Sequence, residues 1–264
     1  MPALTAEIGI FGGSGFYALL DDADEVTLDT PYGAPSDPLV VGTVAGRRVA
    51  FLPRHGRDHR FPPHRIPYRA NLWAMHSLGV RQVVAPCAAG SLRPDVAPGD
   101  FVVCDQLVDR TSGRPQTFYD ERAVHVAFAD PYCPAGRAAA VAVARGSGIT
   151  VHDGGTMVVV EGPRFSTRAE SQLYAGAGWS VINMTGHPEA VLARELELCY
   201  TSIALITDYD AGIAGAGAAV TQEEVFRVFA DNNSRLRALL LALVPALPRE
   251  RSCSCAMALA GTDL

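Results

Sequence analysis

The sequence has little of what binding to nucleic acid or insertion into a membrane requires. Its 264 residues carry a formal net charge of −6 and no long basic run. Nucleic acid and anionic membranes are therefore not expected partners, since both need a concentrated cationic face. No apolar run approaches the roughly 18 residues that span a bilayer. The first residues lack the basic and apolar stretches of a signal peptide, so a cytoplasmic location is the expectation.

Cysteine is also scarce. Six cysteines are too few for a disulfide scaffold in a chain of this length, and four of them stand alone in contexts typical of buried free thiols. The other two form the motif Cys253-Ser254-Cys255. This motif is open to a redox role or to metal binding, although a reduced, unstructured tail is the simpler interpretation. With no other cluster at metal-ligand spacing, the sequence predicts neither a metal nor a cofactor.

The chain shows no internal repeat, no low-complexity linker and no break in composition. Hydrophobic residues make up 48%, so we expect one domain over residues 1–247 and a short flexible tail over residues 248–264. Short β-branched runs alternate with helix-like stretches, which predicts an α/β fold with one central sheet covered by helices. Strands are expected over residues 7–11, 39–44, 48–52, 82–85, 101–104, 156–160, 180–184 and 202–206. Helices are expected over residues 67–78, 135–146, 167–177, 188–197 and 222–243.

Two segments at strand ends carry groups suited to an oxyanion. The turn Gly12-Gly13-Ser14-Gly15 offers free backbone N–H groups, to which Ser14 adds a hydroxyl donor. A plain turn is an equal interpretation, whereas a dinucleotide fingerprint fits poorly because little room remains for its helix. Arg54 and His55 follow the strand at 48–52 in a basic loop that is either solvated or anion-binding, and Arg can grip phosphate with two parallel hydrogen bonds. Together the two segments predict a phosphate site without a Walker-type lysine.

Four further loops each follow an apolar strand. Within them, Phe165 could stack on a planar ring or belong to the core, and Asp208 and Asp210 could read a base edge or merely cap a helix. Ligand sites in open α/β sheets lie outside the carboxyl ends of the strands. Six loops in such positions favour one shared site over six unrelated turns.

Taken in order from Ile8 to about Leu240, these segments resemble the trimeric purine nucleoside phosphorylase family, in its methylthioadenosine phosphorylase branch. The matching motifs are Gly12-Gly13-Ser14-Gly15, Arg54-His55-Gly56, residues 106–111, residues 161–166, Asn183-Met184-Thr185 and Thr207-Asp208-Tyr209-Asp210. The resemblance implies a single domain with a twisted, mixed, partly barrel-like central sheet flanked by helices. It also implies a homotrimer or a dimer of trimers that uses a purine nucleoside and inorganic phosphate, with no cofactor.

The resemblance further implies a role for each matching residue. Phosphate would be held by Ser14, Arg54, His55, Cys87, Ala88 and Thr185. The nucleoside would contact Phe165, Ser166, Met184, Asp208, Asp210 and Gln222. His125 would reach into a neighbouring subunit's site and cover the 5′ end. Asp208 and Asp210 would be the catalytic residues, with Asp208 donating a proton toward N7 of the departing purine.

The two carboxylates also bear on the choice of base. An ionised carboxylate only accepts hydrogen bonds, so Asp208 and Asp210 favour an exocyclic amine at position six and hence 5′-methylthioadenosine. If either carboxyl is protonated, a 6-oxopurine nucleoside or methylthioinosine becomes the alternative.

Four residues, at three sites, depart from the branch pattern. Cys87 replaces a threonine, Gly186-His187 replaces a Thr-Val pair, and Gln222 replaces an apolar residue. Gln222 could bind a 5′-hydroxyl or simply point to solvent. Other functions left open are a hydrolytic nucleosidase, which would not need the phosphate clamp, a non-catalytic nucleoside binder, and, more remotely, an NAD-dependent oxidoreductase.

Overall fold

A mixed sheet runs through the molecule and carries helices on both faces. The computed structural model describes residues 4–12, 21–213 and 220–262. The strands are β1 (Ile8–Phe11), β2 (Asp21–Val26), β3 (Leu39–Val44), β4 (Arg47–Leu52), β5 (Gln82–Ser91), β6 (Phe101–Val103), β7 (Gln106–Arg110), β8 (Val151–Asp153), β9 (Thr156–Val160), β10 (Val181–Asn183) and β11 (Cys199–Tyr209). The helices are α1 (Tyr68–Ser77), α2 (Pro134–Gly146), α3 (Arg168–Gly176), α4 (Gly186–Glu195) and α5 (Gln222–Ala246).

The sheet has a core on each face, as the alternation along β11 shows. Ile203 and Leu205 pack in one cluster with residues of α2 and α5. Ala204 and Ile206 point the other way, into a cluster with residues of α1 and α4. Because helices cover both faces, the central strands are apolar without a polar side. Within the described part of the chain, no helix is both long enough and apolar enough to cross a bilayer.

Strand β5 is the branch point of the sheet. One of its edges pairs with β11 along its length. The other edge is shared, because β1 pairs with residues 82–84 and β10 pairs only with Gly90 and Ser91. In the described pairings, residues 85–89 therefore have no strand partner on that edge. This gap opens the sheet at the centre, and it also accommodates Pro86, which has no N–H to offer a neighbouring strand.

The predicted α/β fold, one domain with a central sheet flanked by helices, is confirmed. All five predicted helices and all eight predicted strands are present, with ends that shift by a few residues. Sequence reasoning missed β2, β7 and β8. Strand β8 has three residues, and β2 and β7 close the two ends of the main strand order with polar sequences. Edge strands of this kind lack the apolar pattern that marks a strand.

The described part of the C-terminal tail lies against the body of the protein. Gln82 donates from Nε2 to the Pro248 carbonyl at 2.8 Å, and Arg251 donates to the Glu197 carbonyl at 2.7 Å. A short 3₁₀ turn over Ser254–Met257 buries Cys255. These contacts differ from the expectation of an unstructured tail, while the division of the chain at residue 247 stays a prediction.

Candidate active site

A cavity of about 510 Å³ lies where several strands end, a size suited to a nucleoside-sized ligand. It is bounded by the ends of β1, β4, β9, β10 and β11, by the second half of β5, and by α5. The sequence-predicted residues that line it are Arg54, His55, Cys87, Ala88, Phe165, Ser166, Met184, Thr185, Asp208, Asp210 and Gln222. Ser14 lies outside the described residues, and His125 is exposed and not part of this lining.

Arg54 is the buried cation of the cavity. Its Nε and Nη2 donate to the two carboxylate oxygens of Glu189 at 2.6 and 2.7 Å, and Nη1 donates to the Pro86 carbonyl at 3.1 Å. Its guanidinium also stacks on Phe11, 4.7 Å from the ring centroid. These contacts use three of the five N–H groups of a guanidinium, so two remain for a ligand oxyanion.

His55 stands beside Arg54 as a neutral ring. Its Nδ1 lies 2.8 Å from the Phe61 carbonyl, which can only accept, so Nδ1 carries the hydrogen and Nε2 is an acceptor. Burial lowers the pKa of His55 to about 4, against the opposing effect of the Phe61 carbonyl. A clamp at this point thus combines one cation with one neutral acceptor, which suits a phosphate that still carries a P–OH hydrogen.

The remaining arginines of the basic loop face elsewhere. Arg57 pairs with Asp37 and Glu25, and Arg60 pairs with Asp58 and donates to the Ser36 carbonyl. Neither lines the cavity. Among the arginines of the basic loop after β4, only Arg54 lines the described cavity.

Asn183 shapes the turn that follows β10. Its Oδ1 accepts hydrogen bonds from the backbone N–H groups of Thr185 and Gly186, at 2.6 and 2.7 Å, while its Nδ2 donates to the Ala88 carbonyl at 3.0 Å. Thr185 is thereby placed as the N-cap of α4, next to β5. The turn places Thr185 in the cavity lining together with Arg54, although the backbone at His187 is not helical, so the regular part of α4 begins after it. Cys87 lies there too, and burial raises the pKa of its thiol to about 11, leaving a neutral and weak donor.

Asp208 reaches the cavity through an irregularity in β11. The register with β5 shifts between Ile206 and Asp208, and such bulges re-aim side chains next to functional sites. Burial raises the pKa of Asp208 to about 6, opposed by a hydrogen bond from the Thr207 hydroxyl and reinforced by the charge of Asp210. Asp210 in turn accepts a hydrogen bond from the Ser171 hydroxyl at 2.6 Å. One carboxyl is thus poised to hold a proton near neutral pH beside a second, firmly oriented one.

The wall opposite these polar groups is apolar. Phe165 and Ser166 come from the loop after β9, and α5 supplies Val225 and Phe226, with Gln222 at its first turn. Phe226 is 48% exposed, an unusual fraction for a large apolar side chain. The cavity therefore offers flat apolar surface beside a polar end, as a nucleoside with an apolar substituent requires.

Sequence reasoning missed two residues that hold the site together. From the sequence, Glu189 is expected only as part of the helix at 188–197, yet it is 1% exposed and paired with Arg54. Arg114 is buried, and it donates to the carbonyls of Met184, His187 and Glu161 at 2.9, 2.7 and 2.6 Å. A carboxylate inside an otherwise apolar helix face could have indicated Glu189, whereas Arg114 lies in a loop without any pattern.

One family departure lies outside the cavity. The His187 ring contacts the side chains of Gln116 and Asp109, at 3.0 and 3.3 Å, and is not part of the lining. Replacing the usual valine at this position therefore leaves the described cavity wall unchanged.

Comparison with known proteins shows the family to which the chain belongs. The family model described as "Phosphorylase superfamily" matches residues 7–245. The chain belongs to the phosphorylase superfamily. It is 62% identical to a purine nucleoside phosphorylase of Streptomyces coelicolor, over 98% of this chain and 96% of the relative. It is 55% identical to an S-methyl-5′-thioadenosine phosphorylase of Mycobacterium tuberculosis, over 97% and 96% of the two chains.

Solved structures agree with this assignment. The methylthioadenosine phosphorylase from Schistosoma mansoni, in complex with adenine, superposes with a TM-score of 0.88 at 37% identity, over 94% of this chain and 93% of that one. The membership in the methylthioadenosine phosphorylase branch, which the motifs indicated, is confirmed by these relatives of the superfamily.

Proposed function

We propose that this superfamily member cleaves the N-glycosidic bond of 5′-methylthioadenosine with inorganic phosphate, giving adenine and 5-methylthioribose 1-phosphate. One observation carries the proposal above all others. A carboxyl group with a raised pKa, Asp208, shares one cavity with the buried cation Arg54 and the hydroxyl-bearing Thr185. A phosphorolytic reaction needs a proton donor for the leaving base, which Asp208 supplies. It also needs groups that bind the attacking phosphate, which Arg54 and Thr185 supply in the same nucleoside-sized cavity.

In the proposed reaction, the bond from C1′ to N9 of the purine breaks and its electron pair moves into the base. Asp208 donates its proton to N7, so the base leaves as a neutral molecule. A phosphate oxygen forms the new bond to C1′ on the face opposite the base. Arg54 holds the phosphate through its two remaining N–H groups, and His55 accepts a hydrogen bond from a P–OH group at Nε2. No covalent enzyme intermediate is needed.

The carboxylates support a 6-amino base. The Ser171 hydroxyl occupies Oδ2 of Asp210, which leaves Oδ1 to accept from an exocyclic amine. Relatives named methylthioadenosine phosphorylase share about half of their residues with this chain, which agrees with that choice. The opposite arrangement, in which a protonated Asp208 donates to a 6-oxo group, defines the alternative substrates inosine and methylthioinosine.

The second candidate is a purine nucleoside phosphorylase that also accepts nucleosides with a 5′-hydroxyl. Gln222 supports it, because its amide can bind that hydroxyl. Val225 and Phe226 give the cavity wall at α5 an apolar surface that suits a methylthio group. Gln222 lies on the same helix and can donate a hydrogen bond to a 5′-hydroxyl. The relative from Streptomyces coelicolor carries the broader name. Adenosine is therefore included as a substrate of this second candidate.

Several sequence-based expectations stay part of the proposal. Ser14 completes the phosphate site, and Met184 lies along the ribose. His125 is exposed and reaches the 5′ end of a neighbouring subunit's site in a homotrimer or dimer of trimers. The enzyme works in the cytoplasm, without a cofactor, and inorganic phosphate is its co-substrate.

The test is base release from methylthioadenosine, adenosine, inosine and methylthioinosine, each with and without phosphate, followed by chromatography. We expect adenine release that requires phosphate, with little hypoxanthine from the two inosines. Preferential hypoxanthine release would overturn the base assignment and leave phosphorolysis standing. Base release that is independent of phosphate would replace the proposal by hydrolysis. Tight binding of adenine nucleosides without turnover would identify a non-catalytic binder.

A further inference from the structure

Four cysteines that are far apart in the sequence meet at one point away from the cavity. Cys133 is the N-cap of α2, Cys199 is the first residue of β11, and Cys253 and Cys255 come from the C-terminal tail. Their four sulfur atoms all lie within 4.8 Å of one another. Three of the four side chains are buried, and Cys253 is half-buried. In the described residues, this is the one group of His, Cys, Asp or Glu side chains placed to hold a metal ion.

The spacing of the sulfur atoms matches a tetrahedral ion. A zinc–thiolate bond of about 2.3 Å places the sulfurs of a regular tetrahedron about 3.8 Å apart. The Sγ of Cys253 lies 3.7 Å from that of Cys133 and 3.3 Å from that of Cys199. A disulfide would require about 2.05 Å, and all four residues are free cysteines. These two distances lie close to the tetrahedral value, and all four sulfurs lie within 4.8 Å of one another. Four thiolates would fill the coordination shell of such an ion and leave no position for water.

The start of α2 presents a backbone donor to the cysteine cluster. The backbone N–H of Gly136, in the first turn of α2, lies 3.5 Å from the Cys133 sulfur. A sulfur atom at the start of a helix, facing a backbone donor, is well placed to become a metal-bound thiolate. Several thiolates in a buried cluster repel one another, and a divalent cation removes that repulsion.

We propose that Cys133, Cys199, Cys253 and Cys255 bind one divalent thiophilic metal ion, with Zn²⁺ as the preferred ion, in a closed structural site. Binding forms four metal–sulfur bonds and releases the thiol protons to solvent. The ion ties the tail to the start of α2 and to the start of β11. Cys199 is nine residues from Asp208 along β11, about 30 Å at the usual rise of a strand. The site therefore supports the fold at the end of β11 remote from the cavity, and the chemistry at Asp208 needs no metal.

The first experiment measures metal in the wild-type protein, purified from zinc-supplemented cells without chelator. We expect about one zinc per chain by plasma emission spectroscopy, released in step with titration of the thiols by a mercurial reagent. Reconstitution with Co²⁺ should give the intense d–d bands of a tetrahedral tetrathiolate site. Metal-free protein with all six thiols reduced would overturn the proposal. So would a non-reduced intact mass lowered by two or four hydrogens, which would identify disulfides instead.

Matched variants separate the site from other effects of mutation. Cys253→Ser/Cys255→Ser should lose at least nine-tenths of the bound zinc and melt at a lower temperature. Ser254→Ala changes the same tail and Cys104→Ser removes a buried thiol outside the cluster, so both should retain zinc. Zinc retained by the double variant would overturn the assignment. If the double variant does not fold, the wild-type stoichiometry and the cobalt spectrum decide the question alone.

Discussion

Glu189 accepts two hydrogen bonds from the guanidinium of Arg54, at 2.6 and 2.7 Å, inside the wall of the cavity. The Tyr200 hydroxyl donates a third, at 2.7 Å, to the same carboxylate. Both charged side chains are buried, with exposed fractions of 8% for Arg54 and 1% for Glu189. A buried pair of this geometry fixes the direction in which the remaining N–H groups of Arg54 point. The orientation of Arg54, the proposed phosphate-binding residue, is thus fixed by a helix residue that itself does not line the cavity.

Glu189→Gln should weaken phosphate use and destabilise the fold. The amide keeps one acceptor but removes the charge, so Arg54 is left buried with a poorer partner and less fixed in orientation. We expect the KM for phosphate to rise about tenfold, which corresponds to about 1.4 kcal/mol, and the free energy of unfolding to fall by about 3 kcal/mol. Initial rates over a phosphate series and urea denaturation measure the two effects.

Glu195→Gln is the matched control. Glu195 is a buried carboxyl on the same helix, and it accepts a hydrogen bond from the Phe118 N–H at 2.7 Å, away from the cavity. Burial raises the pKa of Glu195, so a neutral amide replaces it at low cost. Its KM for phosphate should stay at the wild-type value. An unchanged KM for phosphate in Glu189→Gln would contradict the positioning role of that residue.

Asp208→Asn should remove a pH-dependent step. Because the pKa of Asp208 is raised to about 6, its proton is present below that pH and is lost as the pH rises through it. We expect the wild-type kcat/KM for the nucleoside to decline above about pH 6. The asparagine variant should show no such decline, and its kcat should be about 100-fold lower. Rates at saturating phosphate, measured from pH 5 to 8, give both profiles.

The same variant has a stability readout. A raised native pKa means that the folded protein holds the proton more tightly than the unfolded chain, so stability is fully present below the unfolded pKa and declines as the pH rises toward 6. Asp208→Asn carries no charge to bury and should melt at a higher temperature than wild type at pH 7.

Asp210→Asn should keep the decline of kcat/KM with rising pH but move it to lower pH, because the negative charge that raises the pKa of Asp208 is removed. Identical profiles in wild type and Asp208→Asn would exclude Asp208 as the acid.

Gln222→Leu should narrow the choice of the 5′ substituent. Leucine extends the apolar wall of α5 and removes the donor for a 5′-hydroxyl, whose hydrogen bond contributes about 1–1.5 kcal/mol. We expect the ratio of kcat/KM for methylthioadenosine to that for adenosine to rise about tenfold. Glu223→Gln, at the next and exposed position, controls for changes in the first turn of α5. An unaltered ratio would mean that Gln222 points to solvent and does not contact the 5′ group.

Much of the fold and of the cavity lining could be predicted because the pattern is local. Apolar runs mark the buried strands, and each loop that follows such a run ends at the same edge of the sheet. The strand-end pattern indicates Arg54 and Asp208, the family resemblance adds Thr185, and the structure brings all three to one cavity. The roles of these residues stay predictions, since they depend on bound ligands.

What could not be predicted depends on contacts between distant segments. Glu189 is 135 residues from Arg54, and Cys133 is 120 residues from Cys253. No spacing rule within a helix or strand connects such pairs. The length of β5 was also underestimated, because Pro86 normally ends a strand and only the gap between β1 and β10 allows it here.

Gly90→Ala should reduce catalysis by displacing Asp208. A Cβ at position 90 would lie 3.0 Å from Oδ2 of Asp208 and 3.0 Å from Cγ2 of Ile182, closer than ordinary van der Waals contact. Both neighbours must give by a few tenths of an ångström, at a cost of about 1–3 kcal/mol in stability, and the Asp208 carboxyl shifts by a similar amount. We expect kcat to fall about tenfold or more with little change in the KM for phosphate. Gly146→Ala, at the exposed end of α2 with open space around its Cβ, should leave both constants unchanged. Wild-type kcat in a folded Gly90→Ala protein would contradict the prediction that catalysis depends on the exact position of the Asp208 carboxyl.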